Sequence, residues 1–199
     1  MHTTLFPTLL QAGTLPVELI AAVEAACWMV EDGDHAGHSW CEDKGYPGYT
    51  SYASLNDLPQ RHPAFADLRS YLDAEAARMA TALDWSLGSS RLSCDSLWVN
   101  ILGEGGQHSG HIHPNSVLSG TCYIAMPPGA GSIKFEDPRL PYMMAAPQLS
   151  DNARHPRFHY ETPKAGTILI WESWLRHEVM INQSQDPRIS ISFNYSLAD

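Results

Sequence analysis

Clustered basic residues are missing from this chain. Twelve Lys and Arg stand against 22 Asp and Glu, a formal net charge of −10, and the basic residues are scattered singly. Phosphate binding needs clusters of cations, so nucleic acid is not an expected partner. The scattered acidic excess reads as solubility. Long apolar runs are missing too. No segment approaches the roughly eighteen apolar residues of a membrane span, and the opening MHTTLFPTLLQAG has neither a basic start nor a long apolar stretch. Neither a membrane anchor nor a signal peptide is expected. Cysteine is scarce: Cys27, Cys41, Cys94 and Cys122 form no C-x-x-C pair. That argues against zinc fingers and disulfide scaffolds and for a reduced, cytoplasmic setting, with Cys122 as a small core residue.

What is present is a foldable chain. Its 199 residues are 44% apolar and 17% charged, which suits one domain over 1–199 with a substantial core. Residues 14–31, TLPVELIAAVEAACWMVE, read as a helix capped by Thr14, with Pro16 in its first turn, Ile20, Val23, Cys27 and Val30 on one face, and Gly33 ending it. The stretch 34–61 is rich in Gly, Pro, Asp and aromatics and reads as irregular. A second helix is expected over about 62–83, with Phe65, Leu68, Leu72, Met79 and Leu83 as its apolar stripe. After Ser90 short strand-like runs succeed one another at 92–102, 109–113, 117–126, 131–136, 166–171, 176–181 and 188–197, broken by Gly, Pro and Asn. No helix intervenes, which disfavours a parallel α/β sheet. The expected fold is mainly β: a helical region over 1–90, then an antiparallel sandwich or jelly-roll core over 91–199 with two helices packed outside. Residues 139–161 read as a long insertion loop of the kind that commonly borders a site.

The stretch GQHSGHIHPNSVLSG carries His108, His111 and His113. On a strand, i and i+2 share a face, so His111 and His113 present two imidazoles side by side, a spacing that suits iron, zinc, copper or nickel. Such a pair is also common as ordinary surface or structural histidines. A third ligand must come from elsewhere, and His177 in ESWLRHEVMIN, at the head of a later strand, is the best candidate. His108 reads as a loop residue or a partner of the pair; His35, His38, His62, His155 and His159 read as surface. In RISISFNYSL, Arg188, Ser190, Ser192 and Asn194 share a face opposite Ile189, Ile191, Phe193 and Tyr195. If His177 and Arg188 begin neighbouring strands, the guanidinium shares the cavity of the metal, where its planar fork matches a carboxylate. Tyr123 falls on the polar face of its own strand. Asn100 and Asn115 are candidates to orient an imidazole, although a turn suits Asn115 better. Trp98, Trp171 and Trp174 are candidates for the mouth, with core packing as the alternative.

Together HSGHIHPNSVLSGTCYIAMPPG, IKFEDPR, WESWLRHEV and RISISFNYSL resemble the 2-oxoglutarate- and iron(II)-dependent oxygenases, and within them a group of uncharacterised bacterial proteins sharing H-x-H-P-N-S-x-x-S-G. The resemblance spans about residues 92–197. It implies a double-stranded β-helix, Fe(II) held by His111, His113 and His177, and 2-oxoglutarate as cosubstrate, its far carboxylate on Arg188, Ser190 and Tyr123. The family's usual ligand pair is His-x-Asp/Glu, whereas His113 stands at the carboxylate position; Glu136 or Asp137 is the alternative source of a carboxylate. Three neutral ligands leave a formal charge of +2 instead of +1. Cupins share the jelly roll and an H-x-H, but the Glu of their first motif is absent, and they need no counterpart of Arg188. A cupin-type dioxygenase or metal-binding module is the competing expectation. The substrate, a small molecule or peptide, is not legible, and the outer sheet is open to pairing as a homodimer.

Overall fold

A computed structural model of the chain describes residues 2–139 and 144–198. Its frame is two antiparallel sheets laid face to face. The larger runs in the order β1 (Leu10–Thr14), β8 (Thr167–Glu172), β5 (Leu118–Ala125), β10 (Arg188–Ala198), β3 (Arg91–Leu102), β2 (Gly48–Thr50). The smaller runs β4 (His108–His111), β9 (His177–Val179), β6 (Ile133–Glu136), β7 (Phe158–Glu161). Strands adjacent in space are mostly distant in sequence, which is the jelly-roll plan expected from the strand pattern. Helices α1 (Val17–Gly33), α2 (His35–Lys44), α3 (Leu58–Arg61) and α4 (Pro63–Ala82) precede β3–β10 in sequence, with β1 before α1 and β2 between α2 and α3.

Period-two alternation in the large sheet separates two environments. One face carries Ile189, Ile191 and Phe193 of β10, Cys122 of β5, Ile168 and Ile170 of β8, and Val99 of β3. It packs with Val23 and Cys27 of α1 and with Phe65, Leu68, Leu72 and Met79 of α4 into the main core. The opposite face looks at the small sheet. There Tyr123, Leu169 and Trp171 meet Ile133, Phe135 and Leu175 in a second cluster, and the polar residues of β10 and β5 line the space beside it. Gly120 of β5 lets Phe193 lie flat on the strand: a Cβ there would sit 2.2 Å from Phe193 Cζ and 2.6 Å from the Leu169 carbonyl oxygen. Gly120→Ala therefore overpacks a closed core and is expected to cost about 1–3 kcal/mol, read as a lowered thermal midpoint.

Several readings of the sequence are corrected. Thr14 ends β1 instead of capping a helix. α1 begins at Val17, with Pro16 at its N-cap and no side-chain cap. Residues 10–14, LQAGT, have weak strand propensity, and only pairing with the β8 edge, Leu10 opposite Trp171 through Thr14 opposite Thr167, holds them extended. Gly33 ends α1 as expected, but α2 follows at His35 where an irregular stretch was expected. The stretch 34–61 is structured around Asp34, a buried carboxylate. It accepts from the Gly37 amide at 2.9 Å, from the Tyr49 hydroxyl at 2.8 Å and from the Ser54 hydroxyl. Such long-range polar ties leave no periodic trace in sequence. Within 139–161, residues 140–143 lie outside those described, and Phe158–Glu161 form β7 against β6 instead of a loop. No cysteine is in a disulfide, and among the described residues no helix is long and apolar enough to cross a membrane.

Candidate metal centre

His111 closes β4 and faces His177, the first residue of β9, directly across the antiparallel ladder. The register of this pair shifts between His108 and His111, an irregularity of the kind that re-aims side chains beside sites. His113 lies two residues past the end of β4, so shared strand geometry is not what aligns it. Its backbone N–H donates to the Ser173 carbonyl at 3.1 Å, which ties the turn to the end of β8. The three imidazoles converge. Each offers a ring nitrogen, and these atoms lie within 4.8 Å of one another. His113 Nε2 and His177 Nε2 are 3.3 Å apart with their rings stacked at 3°. Metal–imidazole bonds near 2.1 Å at right angles require about 3 Å between donors, so the spacing fits one ion bound on one face.

Tautomers are set for that use. The Nδ1 atoms of His177 and His111 bond to the carbonyls of Leu175 at 2.9 Å and Ser109 at 2.7 Å. An N–H donated there leaves Nε2 as a lone pair facing the centre. Trp171 packs edge-on against His177, 4.6 Å between ring centroids, and fixes the ring from behind. No carboxylate joins the cluster among the described residues. Glu136 pairs with Arg176 at 3.2 Å, and Asp137 accepts from Arg139.

Burial holds His177 down to about 3 and His113 and His108 down to about 4, against an ordinary 6.5, with the neighbouring His111 adding to the shift. All three are neutral at neutral pH. The unfolded chain takes up these protons near 6.5 and the folded chain only near 3–4, so between those values the unfolded state binds more protons. Stability of the metal-free protein therefore falls as pH drops from about 6.5 towards 4. Thermal midpoints in chelator at pH 7 and pH 5 test this: the midpoint at pH 5 is the lower one, and equal values would contradict it.

Behind the imidazoles lies a second constellation. Arg188, Ser190 and Tyr123 are 1%, 4% and 0% exposed. Ser190 and Tyr123 are cross-strand partners on β10 and β5, and the Arg188 guanidinium sits over the Tyr123 ring at 5.2 Å. Arg188 Nε and Nη1, the Tyr123 hydroxyl and Trp171 Nε1 are buried without a hydrogen-bond partner. Buried polar groups are nearly always paired, so such a set marks a place where a ligand completes the bonding. Burial pulls the Arg188 guanidinium down and pushes the Tyr123 phenol up. His177 and Arg188 do not begin neighbouring strands: β9 belongs to the small sheet and β10 to the large one. The connection crosses between sheets, and His177 lines the cavity with His111 and His113, whereas Arg188, Ser190 and Tyr123 lie buried outside its lining.

The cavity, about 420 Å³, also contains residues that sequence reading did not single out. Tyr46 donates or accepts a short bond with His108 Nε2 and donates to Asn100 Oδ1 at 3.3 Å. Asn100 also accepts from Thr50 at 2.9 Å and donates to Ser192 at 3.1 Å, so it organises this wall and makes no bond to an imidazole. Its position on the polar alternation of β3 was the available signal. Asn115 has a positive φ of 71° and serves the turn. Trp98 lines the cavity, Trp171 is core, and Trp174 is 47% exposed. The stretch 45–58 contributes Tyr46, Thr50 and Tyr52, whereas none of the described residues of 139–161 reaches the cavity.

Comparison with known proteins agrees with this arrangement. Residues 96–194 match the family model described as "Putative 2OG-Fe(II) oxygenase". No curated protein matches the chain by sequence. Among solved structures, a Pseudomonas putida prolyl-4-hydroxylase superposes with a TM-score of 0.63 at 15% identity, covering 95% of this chain and 92% of that one. A prolyl hydroxylase from Trichoplax adhaerens gives 0.63 at 12%, covering 94% and 83%. HygX from Streptomyces hygroscopicus, with nickel and 2-oxoglutarate bound, gives 0.59 at 14%, covering 95% and 82%. At such identities these structures establish the shared jelly roll. With the family match across the strands that carry both constellations, the chain belongs to the 2-oxoglutarate- and Fe(II)-dependent oxygenase superfamily.

Proposed function

We propose that this protein is a 2-oxoglutarate-dependent dioxygenase whose Fe(II) is held by His111, His113 and His177. Two features of one fold support the reading: a convergent triad of imidazoles and a set of buried donors without partners. Arg188 and Tyr123, with Ser190 beside them, bind the far carboxylate of 2-oxoglutarate and so satisfy atoms that the protein leaves unpaired. Iron with this cosubstrate supplies oxidative decarboxylation to succinate coupled to oxidation of a C–H bond. The chain's own part is to orient, desolvate and confine. Trp171 fixes the His177 ring, and the apolar cluster around Phe135 and Leu169 keeps water from the inner wall. A site with three neutral ligands keeps a formal +2 charge, which favours a dianionic 2-oxo acid. The nickel and 2-oxoglutarate bound by HygX support this ligand pair on the same fold.

Purified protein given Fe(II), ascorbate and 2-oxoglutarate is expected to consume the 2-oxo acid slowly without substrate and to bind N-oxalylglycine. A cupin-type metalloprotein would bind metal but neither compound, and that result would replace the present reading.

A further inference from the structure

The cavity, which lies outside the buried Arg188, Ser190 and Tyr123, has a composition of its own. Among the described residues that line it there is no Asp, Glu, Lys or Arg, in a chain that is 17% charged. Its walls are aromatic on one side. Tyr52, 61% exposed, stands edge-on to Trp98 at 5.2 Å, and the Trp98 ring lies 6.0 Å from that of His113. The other side is neutral and polar. Asn194 is 8% exposed, and its Oδ1 accepts from the Ser119 hydroxyl at 2.8 Å, which is in turn bonded to Ser173 at 2.8 Å. Ser119 and Ser173 are fully buried, so this relay holds the amide in one orientation. Its Nδ2 has no partner among the described residues, and the residue lines the cavity. A donor held in one orientation at a cavity wall is a recognition element.

On the reading that this site is the metal and 2-oxoglutarate centre, we propose that the outer cavity binds an uncharged ring compound, stacked on Trp98 and Tyr52, that offers an acceptor oxygen to Asn194 Nδ2. Charge argues the class. A cationic substrate would approach a centre with residual positive charge and would find no carboxylate. An anionic one would find no Lys or Arg on the wall and would compete for the metal itself. Transfer of an ion into such a lining without a partner is costly, whereas an apolar ring face on indole and phenol gains from burial and stacking.

The test uses the full chain loaded with Mn(II) or Zn(II) and N-oxalylglycine, with ligand-observed NMR titration of matched probes. The neutral probes are methyl glucopyranoside and N-acetylprolinamide; glucuronate, glucosamine, N-acetylproline and prolinamide are their charged counterparts. At least one neutral probe is expected to bind at least about tenfold tighter than its charged counterparts. Asn194→Leu is expected to weaken that probe up to about tenfold, the range of one hydrogen bond, while N-oxalylglycine still binds. Tyr52→Ala, on an exposed side chain with little bearing on folding, is expected to weaken the same probe. Charged probes binding as tightly, neither neutral probe binding, or both variants binding like the parent would overturn the inference and leave the cosubstrate reading standing. Failure of N-oxalylglycine itself to bind would overturn that reading, and the inference with it.

Discussion

His177→Ala is expected to leave the protein unable to retain a divalent metal. The residue sits in the middle of the triad, with His111 opposite it on the β4–β9 ladder and His113 stacked on it. Without it two imidazoles remain, and no carboxylate stands in reserve among the described residues, because Glu136 and Asp137 are committed to Arg176 and Arg139. Loss of a mere partner of a ligand typically costs about 10–100-fold in metal affinity, so loss of a ligand should exceed about 100-fold. Metal content after dialysis, by elemental analysis, reads this directly. Glu136→Gln and Asp137→Asn serve as contrasts and should retain metal like the parent. If either carboxylate variant lost the ion, or if His177→Ala kept it, the three-imidazole centre would be wrong.

Arg188→Met should produce the opposite dissection. Metal affinity stays as it was, since Arg188 contributes no ligand atom. Binding of N-oxalylglycine or 2-oxoglutarate should fall by at least about 100-fold, because two charge-assisted hydrogen bonds of about 1.5–3 kcal/mol each are lost. A second effect separates this reading from a structural role for the arginine. In the unliganded protein Arg188 is 1% exposed with Nε and Nη1 unpaired, so its burial is a cost that Met does not bear. Ligand-free Arg188→Met is therefore expected to be at least as stable as the parent, by up to about 1–3 kcal/mol, the penalty of an unsatisfied buried group. Calorimetric titration and thermal denaturation together test the pair of outcomes. A variant that binds the 2-oxo acid normally, or that unfolds at lower temperature, would contradict the assignment.

Much of the frame was readable from local pattern. α4 appears where a 3.6-residue apolar stripe indicated it, and β3, β5, β8 and β10 coincide with strand-like runs to within a residue or two. Alternation on β10 also separated Arg188, Ser190, Ser192 and Asn194 from the core face, so one wall of the site could be drawn before any coordinates. β1, β2 and β7 escaped because they are short, three to five residues, and each exists through a partner strand. The bonds of Tyr46 and Thr50 escaped for a related reason. Those to Asn100 and His108 span about 50 residues or more of chain, and no spacing rule reaches that far.

Periodicity and residue chemistry by themselves determined the fold class, the faces of the long strands, and the set of side chains able to hold a metal and a carboxylate. They did so because alternation along a strand and the ligand character of imidazole and guanidinium are properties of single residues and near neighbours. Folding in three dimensions settled which of those side chains meet. His113 is aimed by a backbone bond to Ser173 and not by strand geometry, Arg188 lies in the sheet opposite the one that carries His111 and His177, and Glu136 and Asp137 pair with arginines. Distances between remote segments depend on sheet pairing and on crossings between sheets, and these are cooperative properties of the whole chain.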